Sequence, residues 1–168
     1  ELMKAGNIKD SIELIVLAFQ KKYIDDGKCH ALLHETGHLA YAYYKNDIKF
    51  LSSYVDKKCV EAYLHGLEAE IFLQNEENDA FVPIVHRFCE LARQGDPAIN
   101  CYHGVGHAAM GLGRIDTSHN VTLALNQCDK LAQGPQKSLH NCYGGVFSEY
   151  GNLAKNYDTD TGLRYSGP

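Results

Sequence analysis

Apolar residues recur every three or four positions along almost the whole chain, which is the spacing of amphipathic helices. Turn-forming residues such as Asp26-Gly27 separate the apolar segments from one another. The third segment is weak, and a short helix and a single strand both stay open for it. The pattern predicts eight segments, at residues 10–19, 29–44, 48–55, 58–74, 78–93, 100–112, 117–132 and 138–155.

Eight consecutive helical segments predict an all-α fold built from four antiparallel hairpins that stack on each other. We expect one domain over residues 1–155, followed by a polar tail at 156–168. The 168 residues are 45% hydrophobic, which excludes a disordered chain. The net charge of −5 gives no basis for nucleic-acid binding, and no apolar run reaches the ~20 residues of a membrane span.

The six cysteines predict three disulfides. In segments 89–102 and 128–143, a helix that carries a Cys ends near Gln-Gly and Pro, and the next helix begins close to a second Cys. Such cysteines face each other across a helical hairpin, so we expect the disulfides Cys89–Cys101 and Cys128–Cys142. By elimination, Cys29 pairs with Cys59.

Three disulfides favour a secreted or extracytoplasmic protein. The sequon at Asn120 is consistent with a glycoprotein. The alternative is a cytosolic helical protein with six buried thiols. Metal ligation by cysteine is disfavoured because the chain has no Cys-x-x-Cys.

The chain also predicts an internal two-fold pseudo-repeat. Residues 34–38 match residues 103–107 in the pattern His-x-x-Gly-His, at an offset of 69. Residues 66–70 match residues 145–149 in the pattern Gly-x-x-x-Glu, at an offset of 79. We therefore expect half-repeats at about 8–75 and 78–153, each with one histidine helix and one glutamate helix.

The histidine helices predict metal binding. Residues four apart share one helix face, so His34 with His38, and His103 with His107, are each spaced to chelate one divalent ion. With Glu35, the first pair forms an H-E-x-x-H motif that resembles the zincin metallopeptidases. The resemblance implies that both histidines bind zinc and that Glu35 is the general base. The second pair lacks this glutamate.

Two histidines leave a zinc site incomplete, since catalytic zinc usually has three protein ligands and a water. The repeat points to Glu70 and Glu149 as third ligands, with His65 and Glu68 as alternatives in the first half. Two histidines and a carboxylate also suit iron, and copper stays open. The two halves could instead face each other and form one binuclear site. Residues expected to assist the ligands are His30, Tyr63, Tyr102 and Tyr143.

Three functions follow from these residues. The first is an extracytoplasmic zinc-dependent hydrolase or peptidase that acts on a peptide or small molecule. The second is a metal-binding domain for zinc, copper or iron that has two His-His-Glu sites and no turnover. The third is a structural or assembly module of stacked helices, and self-association is compatible with each. We expect the acidic residues at 68–79 to form a solvated face, and His86, His119 and His140 to be ordinary surface or capping residues.

Overall fold

A computed structural model describes residues 7–45, 47–55, 57–59, 61–75, 79–95, 100–111, 117–131 and 136–155. Side chains are described for these residues except 111, 117–120, 136–137 and 152–155. The predicted polar tail at 156–168 and the side chain of Asn120 lie outside this set.

The fold is all-α, as the sequence predicts, and no strand occurs in the described ranges. The weak third segment is a five-residue helix. The helices are α1 Ile8–Gln20, α2 Asp26–Tyr44, α3 Ile48–Ser52, α4 Ala62–Asn75, α5 Phe81–Gly95, α6 Cys101–Gly111, α7 Thr117–Lys130 and α8 Gln136–Lys155.

Side-chain caps define where the first three helices begin. Asn7, Asp25 and Asp47 each accept a hydrogen bond from the backbone N–H three residues further on. Such caps satisfy donors that the first helical turn leaves unpaired. α4 begins four residues later than the prediction, after Cys59 and Glu61, which both have positive φ angles. Residues in this conformation cannot continue a right-handed helix.

The three predicted disulfides are confirmed. Cys29–Cys59 joins α2 to the segment before α4, Cys89–Cys101 joins α5 to α6, and Cys128–Cys142 joins α7 to α8. They close loops of 30, 12 and 14 residues, and none of the six cysteines is free. Each disulfide therefore anchors a helix that carries predicted ligands to a neighbouring helix or segment.

The ligand-bearing helices form two parallel pairs. In the first pair, Cys29 meets Cys59 and His38 meets Glu70, so α2 and α4 run in the same direction. In the second pair, α6 and α8 are also parallel. The pairs meet at α4 and α6, which run antiparallel, because residue 68 lies beside residue 101 and residue 65 beside residue 107.

Glycines set the distance between the helices of each pair. A Cβ on Gly66 would lie 1.9 Å from the carbonyl oxygen of His34, and a Cβ on Gly145 would lie 1.9 Å from that of His103. Gly37 and Gly106 face these glycines across the same crossings. The backbones touch at both crossings, which brings the histidine and glutamate side chains of neighbouring helices within reach. The pseudo-repeat itself stays a prediction.

The core is apolar and runs through both pairs. Its largest fully buried side chains include Leu33, Leu67, Phe72, Phe81 and Phe88. Among the described residues, no helix has the length and apolar character needed to cross a membrane.

Candidate metal site

Six histidine rings form a continuous row across α2, α4 and α6, which we call the histidine row. Its members in spatial order are His38, His34, His30, His65, His107 and His103. Neighbouring rings have centroids 4.9, 6.1, 5.8, 5.2 and 4.8 Å apart in that order. The row therefore contains both predicted histidine pairs and two further imidazoles between them.

A glutamate contacts one histidine of each predicted pair. Nδ1 of His38 lies 2.9 Å from Oε2 of Glu70, and Nδ1 of His107 lies 2.9 Å from Oε2 of Glu149. A carboxylate only accepts hydrogen bonds, so each Nδ1 carries the proton and, in the neutral ring, each Nε2 presents a lone pair. Metal-binding histidines are commonly oriented in this way by a carboxylate.

The second pair has the clearest chelating geometry. Nε2 of His103 lies 3.1 Å from Nε2 of His107. Two nitrogens bound to one tetrahedral zinc ion at the usual bond length are about 3.3 Å apart. The observed separation would therefore admit a shared ion with little movement of either ring. The first pair has a similar ring separation, 4.9 Å against 4.8 Å.

Burial favours the neutral form of three imidazoles of the row. Burial, assisted by the neighbouring His38, lowers the pKa of His34 to about 4. Burial, assisted by His107, lowers the pKa of His65 to about 3. Burial also lowers the pKa of His103. Neutral imidazole is the form that binds a metal ion, so these rings need not lose a proton first at neutral pH.

His30 is held in the same tautomer as His38 and His107. Its Nδ1 lies 2.9 Å from the carbonyl oxygen of Cys59, an acceptor, so Nδ1 is the donor and Nε2 presents the lone pair. This contact lies next to the Cys29–Cys59 disulfide. The disulfide therefore helps to fix the orientation of one ring of the row.

Each of the predicted glutamate ligands contacts a histidine ring. The carboxylates of Glu70 and Glu149 contact Nδ1 of His38 and His107, so Nε2 of each ring lies on the side away from the carboxylate. Among the described residues, the only three metal-ligating side chains whose atoms lie within 4.8 Å of one another are Glu68, Cys89 and Cys101. Their two sulfurs are bonded to each other, so this group offers no metal site.

Glu35, the predicted general base, lies on the exposed surface of α2. No hydrogen bond or ion pair links it to another described residue. The structure therefore brings His34 and His38 together but leaves Glu35 without a partner that would orient it toward them.

Glu68 is completely buried, so the expectation that residues 68–79 form a solvated face is wrong at this position. Burial raises the pKa of its carboxyl well above the usual value, so the neutral acid is favoured. Oε1 lies 3.2 Å from Sγ of Cys101, and no described residue hydrogen-bonds Oε2. It lies at the joint between α4 and α6 rather than among the ligand nitrogens.

The three tyrosines contact groups other than the predicted ligands. The hydroxyl of Tyr63 is 3.5 Å from the carbonyl oxygen of Leu51, and that of Tyr143 hydrogen-bonds Asp129. The hydroxyl of Tyr102 is 2.9 Å from Nδ1 of His86. His86 is therefore a half-buried partner of a tyrosine rather than a simple surface residue.

The sequence did not predict that the two pairs would be joined through His65. Its ring lies between those of His30 and His107, on helices far apart in sequence. Helical periodicity places a residue on a face of its own helix but does not say which helix that face meets.

Comparison of the chain with known protein families, with curated proteins and with solved structures finds no match.

Proposed function

We propose that this protein is an extracytoplasmic metal-binding protein that holds divalent transition-metal ions in the histidine row. The two chelating pairs are His34 with His38 and His103 with His107. Glu70 and Glu149 orient one ring of each pair rather than bind the ion themselves.

One observation carries this proposal. His107 has its Nδ1 held by Glu149, while its Nε2 faces the Nε2 of His103 at 3.1 Å. Nε2 of His107 therefore presents a lone pair toward His103, at a separation that suits either a hydrogen bond from His103 or an ion bound by both rings.

The donor set favours a metal of intermediate hardness. Imidazole suits zinc, copper, iron and nickel, whereas magnesium and calcium prefer oxygen ligands. The ligand pairs are also reachable, because the side chains of His38 and His107 are 24% and 19% exposed. Three disulfides support an oxidising compartment for the protein.

Zinc binding to purified, oxidised protein tests the proposal. Elemental analysis gives the metal content as isolated, and calorimetric titration of the metal-free protein gives stoichiometry and affinity for zinc, copper and magnesium. We expect zinc and copper to bind and magnesium not to bind. The variant His107→Ala should lose about one ion per chain, whereas the matched variant His140→Ala on the exposed surface of α8 should lose none.

Two results would count against metal binding. One is a wild-type protein that binds no zinc or copper at micromolar concentration. The other is equal zinc binding by wild type and His107→Ala when circular dichroism shows both to be folded. Either would leave the histidine row as packing between helices, which is the structural-module interpretation.

The hydrolase interpretation uses the same first pair and adds Glu35 as a base on a metal-bound water. The variant Glu35→Gln separates it from metal binding alone. A hydrolase would lose peptide or ester turnover by this change while it keeps its zinc. We expect no turnover to lose, because Glu35 is exposed and no described side chain orients it.

A further inference from the structure

The two helix pairs meet where one face of α4 packs against one face of α6. α4 contributes His65 and Glu68 to this joint, and α6 contributes Cys101 and Gly104. Oε1 of Glu68 lies 3.2 Å from Sγ of Cys101, and a Cβ on Gly104 would lie 2.8 Å from Cδ2 of His65. Glu68 is 0% exposed and Cys101 is 1% exposed. A helix with the Gly-x-x-x-Glu segment therefore has a face that fits a helix with the His-x-x-Gly-His segment.

α8 has the same Gly-x-x-x-Glu segment, but the matching face of this helix is open to solvent. At the offset of 79 residues, Gly144 takes the position of His65 and Phe147 takes the position of Glu68. Both residues are exposed, and Phe147 is 56% exposed. We call Gly144 and Phe147 the outer face of α8. The face that α4 buries in the joint is thus left uncovered on α8.

α2 has an open face of the complementary kind. At the offset of 69 residues, Leu32 takes the position of Cys101 and Glu35 takes the position of Gly104. Leu32 is 46% exposed, and Glu35 is exposed too. Tyr43, which is 56% exposed, lies on the same side of the helix, because eleven residues complete about three turns. We call Leu32, Glu35 and Tyr43 the outer face of α2.

These two faces differ from the usual ends of a helical stack. The outermost helices of a stack normally present polar faces, because no neighbouring helix covers them. Here Leu32 and Tyr43 stand at one end and Phe147 stands at the other. Single exposed apolar side chains are common, but these lie on the faces that correspond to the two sides of the joint inside the chain. Each open face therefore corresponds to one side of a contact that the protein already makes.

The register of the joint gives the expected neighbours. α4 and α6 run antiparallel, with residue 68 beside residue 101 and residue 65 beside residue 104. The same register places Phe147 of one copy beside Leu32 of the next, which pairs two apolar side chains. It also places Gly144 beside Glu35. The glycine is on α6 inside the chain and on α8 between copies, so in both cases it faces a larger side chain.

We infer that the outer face of α8 docks on the outer face of α2 of a second copy of this chain. Each copy uses one face toward one neighbour and a different face toward the other, so the contact is heterologous. Association therefore continues head to tail beyond a dimer, unless the copies close into a ring. The inference does not depend on the proposed metal binding.

Sedimentation velocity of the oxidised full chain tests the inference, with a chelator present so that metal ions cannot link the copies. We expect the mean mass to rise with protein concentration in the micromolar range and to exceed that of a dimer. Phe147→Glu and Leu32→Glu each remove one face, so each variant should sediment as a monomer. Leu123→Glu changes a side chain of α7 that is also 46% exposed, and it should associate as wild type does.

A mixture of the two variants tests the head-to-tail arrangement directly. Phe147→Glu keeps the outer face of α2, and Leu32→Glu keeps the outer face of α8. An equimolar mixture should therefore form a heterodimer of about twice the monomer mass that does not grow further. Circular dichroism checks that each variant is folded, and Phe147→Ser and Leu32→Ser replace any variant that is not.

Three results would overturn the inference. The first is a wild-type chain that stays monomeric throughout the micromolar range. The second is association of either variant alone, which would show a symmetric contact or a different surface. The third is a mixture of the two variants that remains monomeric although both are folded.

Discussion

α4 and α8 carry the same Gly-x-x-x-Glu segment but have different surroundings. α4 lies between α2 and α6, whereas α8 packs against α6 and α7. At matched positions, α4 has His65 and Glu68, which face α6, and α8 has Gly144 and Phe147. Glu68 is completely buried, while Phe147 is 56% exposed.

This difference separates two kinds of residue in the chain. The residues that match between the two helix pairs, including Gly66, Glu70, Gly145 and Glu149, build two similar helix crossings with an oriented histidine at each. The residues without a match, His65 and Glu68, lie where the two crossings are joined. The matched residues thus account for the two crossings, and the unmatched ones account for the contact between them.

The largest expected effect comes from adding a methyl group at one of the two helix crossings. In Gly66→Ala or Gly145→Ala the new Cβ meets backbone, which cannot rotate away, so the helices must separate. We expect each variant to lose about 3 kcal/mol or more of unfolding free energy, as seen for overpacked cores. Denaturant unfolding of the oxidised protein measures it.

Gly95→Ala is the control for this prediction, because nothing lies within 4 Å of a Cβ at that position. It should be neutral or stabilising. If only one of the two crossing variants lost stability, the similarity of the two crossings would not extend to their energetics.

Acidification should destabilise the metal-free protein through the row. In the folded protein the pKa of His34 is lowered to about 4 and that of His65 to about 3. In the unfolded chain a histidine has a pKa of about 6.5, so below this pH the unfolded chain binds more protons than the folded protein does. Their contribution to stability is complete above pH 6.5 and is lost as the pH falls toward 4. We expect a loss of about 3 kcal/mol after allowance for partial exposure.

Thermal or denaturant unfolding between pH 7 and pH 4 measures this loss. The variant His65→Gln should flatten the profile, whereas His140→Gln, which changes an exposed histidine, should leave its slope unchanged. A profile that stays as steep in His65→Gln as in wild type would contradict the assignment of the effect to the row.

Removing the orienting carboxylates should have a smaller effect, and an equal one in the two halves. Glu70→Gln and Glu149→Gln weaken the acceptor at Nδ1 of His38 and His107. We expect each to raise the zinc dissociation constant of its own site by about 10–100-fold. Titration of zinc into each variant measures the change, with Glu90→Gln as a surface control. An effect of only one of the two substitutions would contradict the similarity of the two helix pairs.

The smallest expected effect concerns Glu68. Burial raises the pKa of the Glu68 carboxyl in the folded protein above its pKa in the unfolded chain. As the pH rises above the unfolded-state pKa, the carboxyl ionises in the unfolded chain but stays protonated in the folded protein, so the free energy of unfolding falls. Glu68→Gln should therefore stabilise the protein at pH 7 by about 1 kcal/mol, with the gain disappearing below pH 4. Matched unfolding curves at the two pH values measure it, and a gain that persists at pH 4 would exclude the ionisation explanation.

Much of the fold could be predicted from the sequence because its signals are local. Apolar spacing located the helices, the repeated Cys spacing predicted two of the disulfides, and the third followed by elimination. Helix ends were less accurate where the backbone adopts positive φ, as at Cys59 and Glu61, since nothing in the apolar pattern marks this conformation.

The candidate site was only partly predictable. Spacing on one helix brings His34 to His38 and His103 to His107, as expected. The pairing of Glu70 with His38 depends on a contact between helices, and the sequence did not show which ring nitrogen it would take. The burial of Glu68 and the position of His65 depend on the joint between α4 and α6, for which no repeated motif exists.

The order of the disulfides has a consequence for biosynthesis. The six cysteines pair in chain order: the first bonds to the second, the third to the fourth and the fifth to the sixth. Of the 15 ways to pair six cysteines, this is the one in which each bond, formed in chain order, leaves no earlier thiol unpaired when the next cysteine is synthesised. Oxidation can then follow the chain from its amino end without isomerase-catalysed reshuffling of mispaired intermediates.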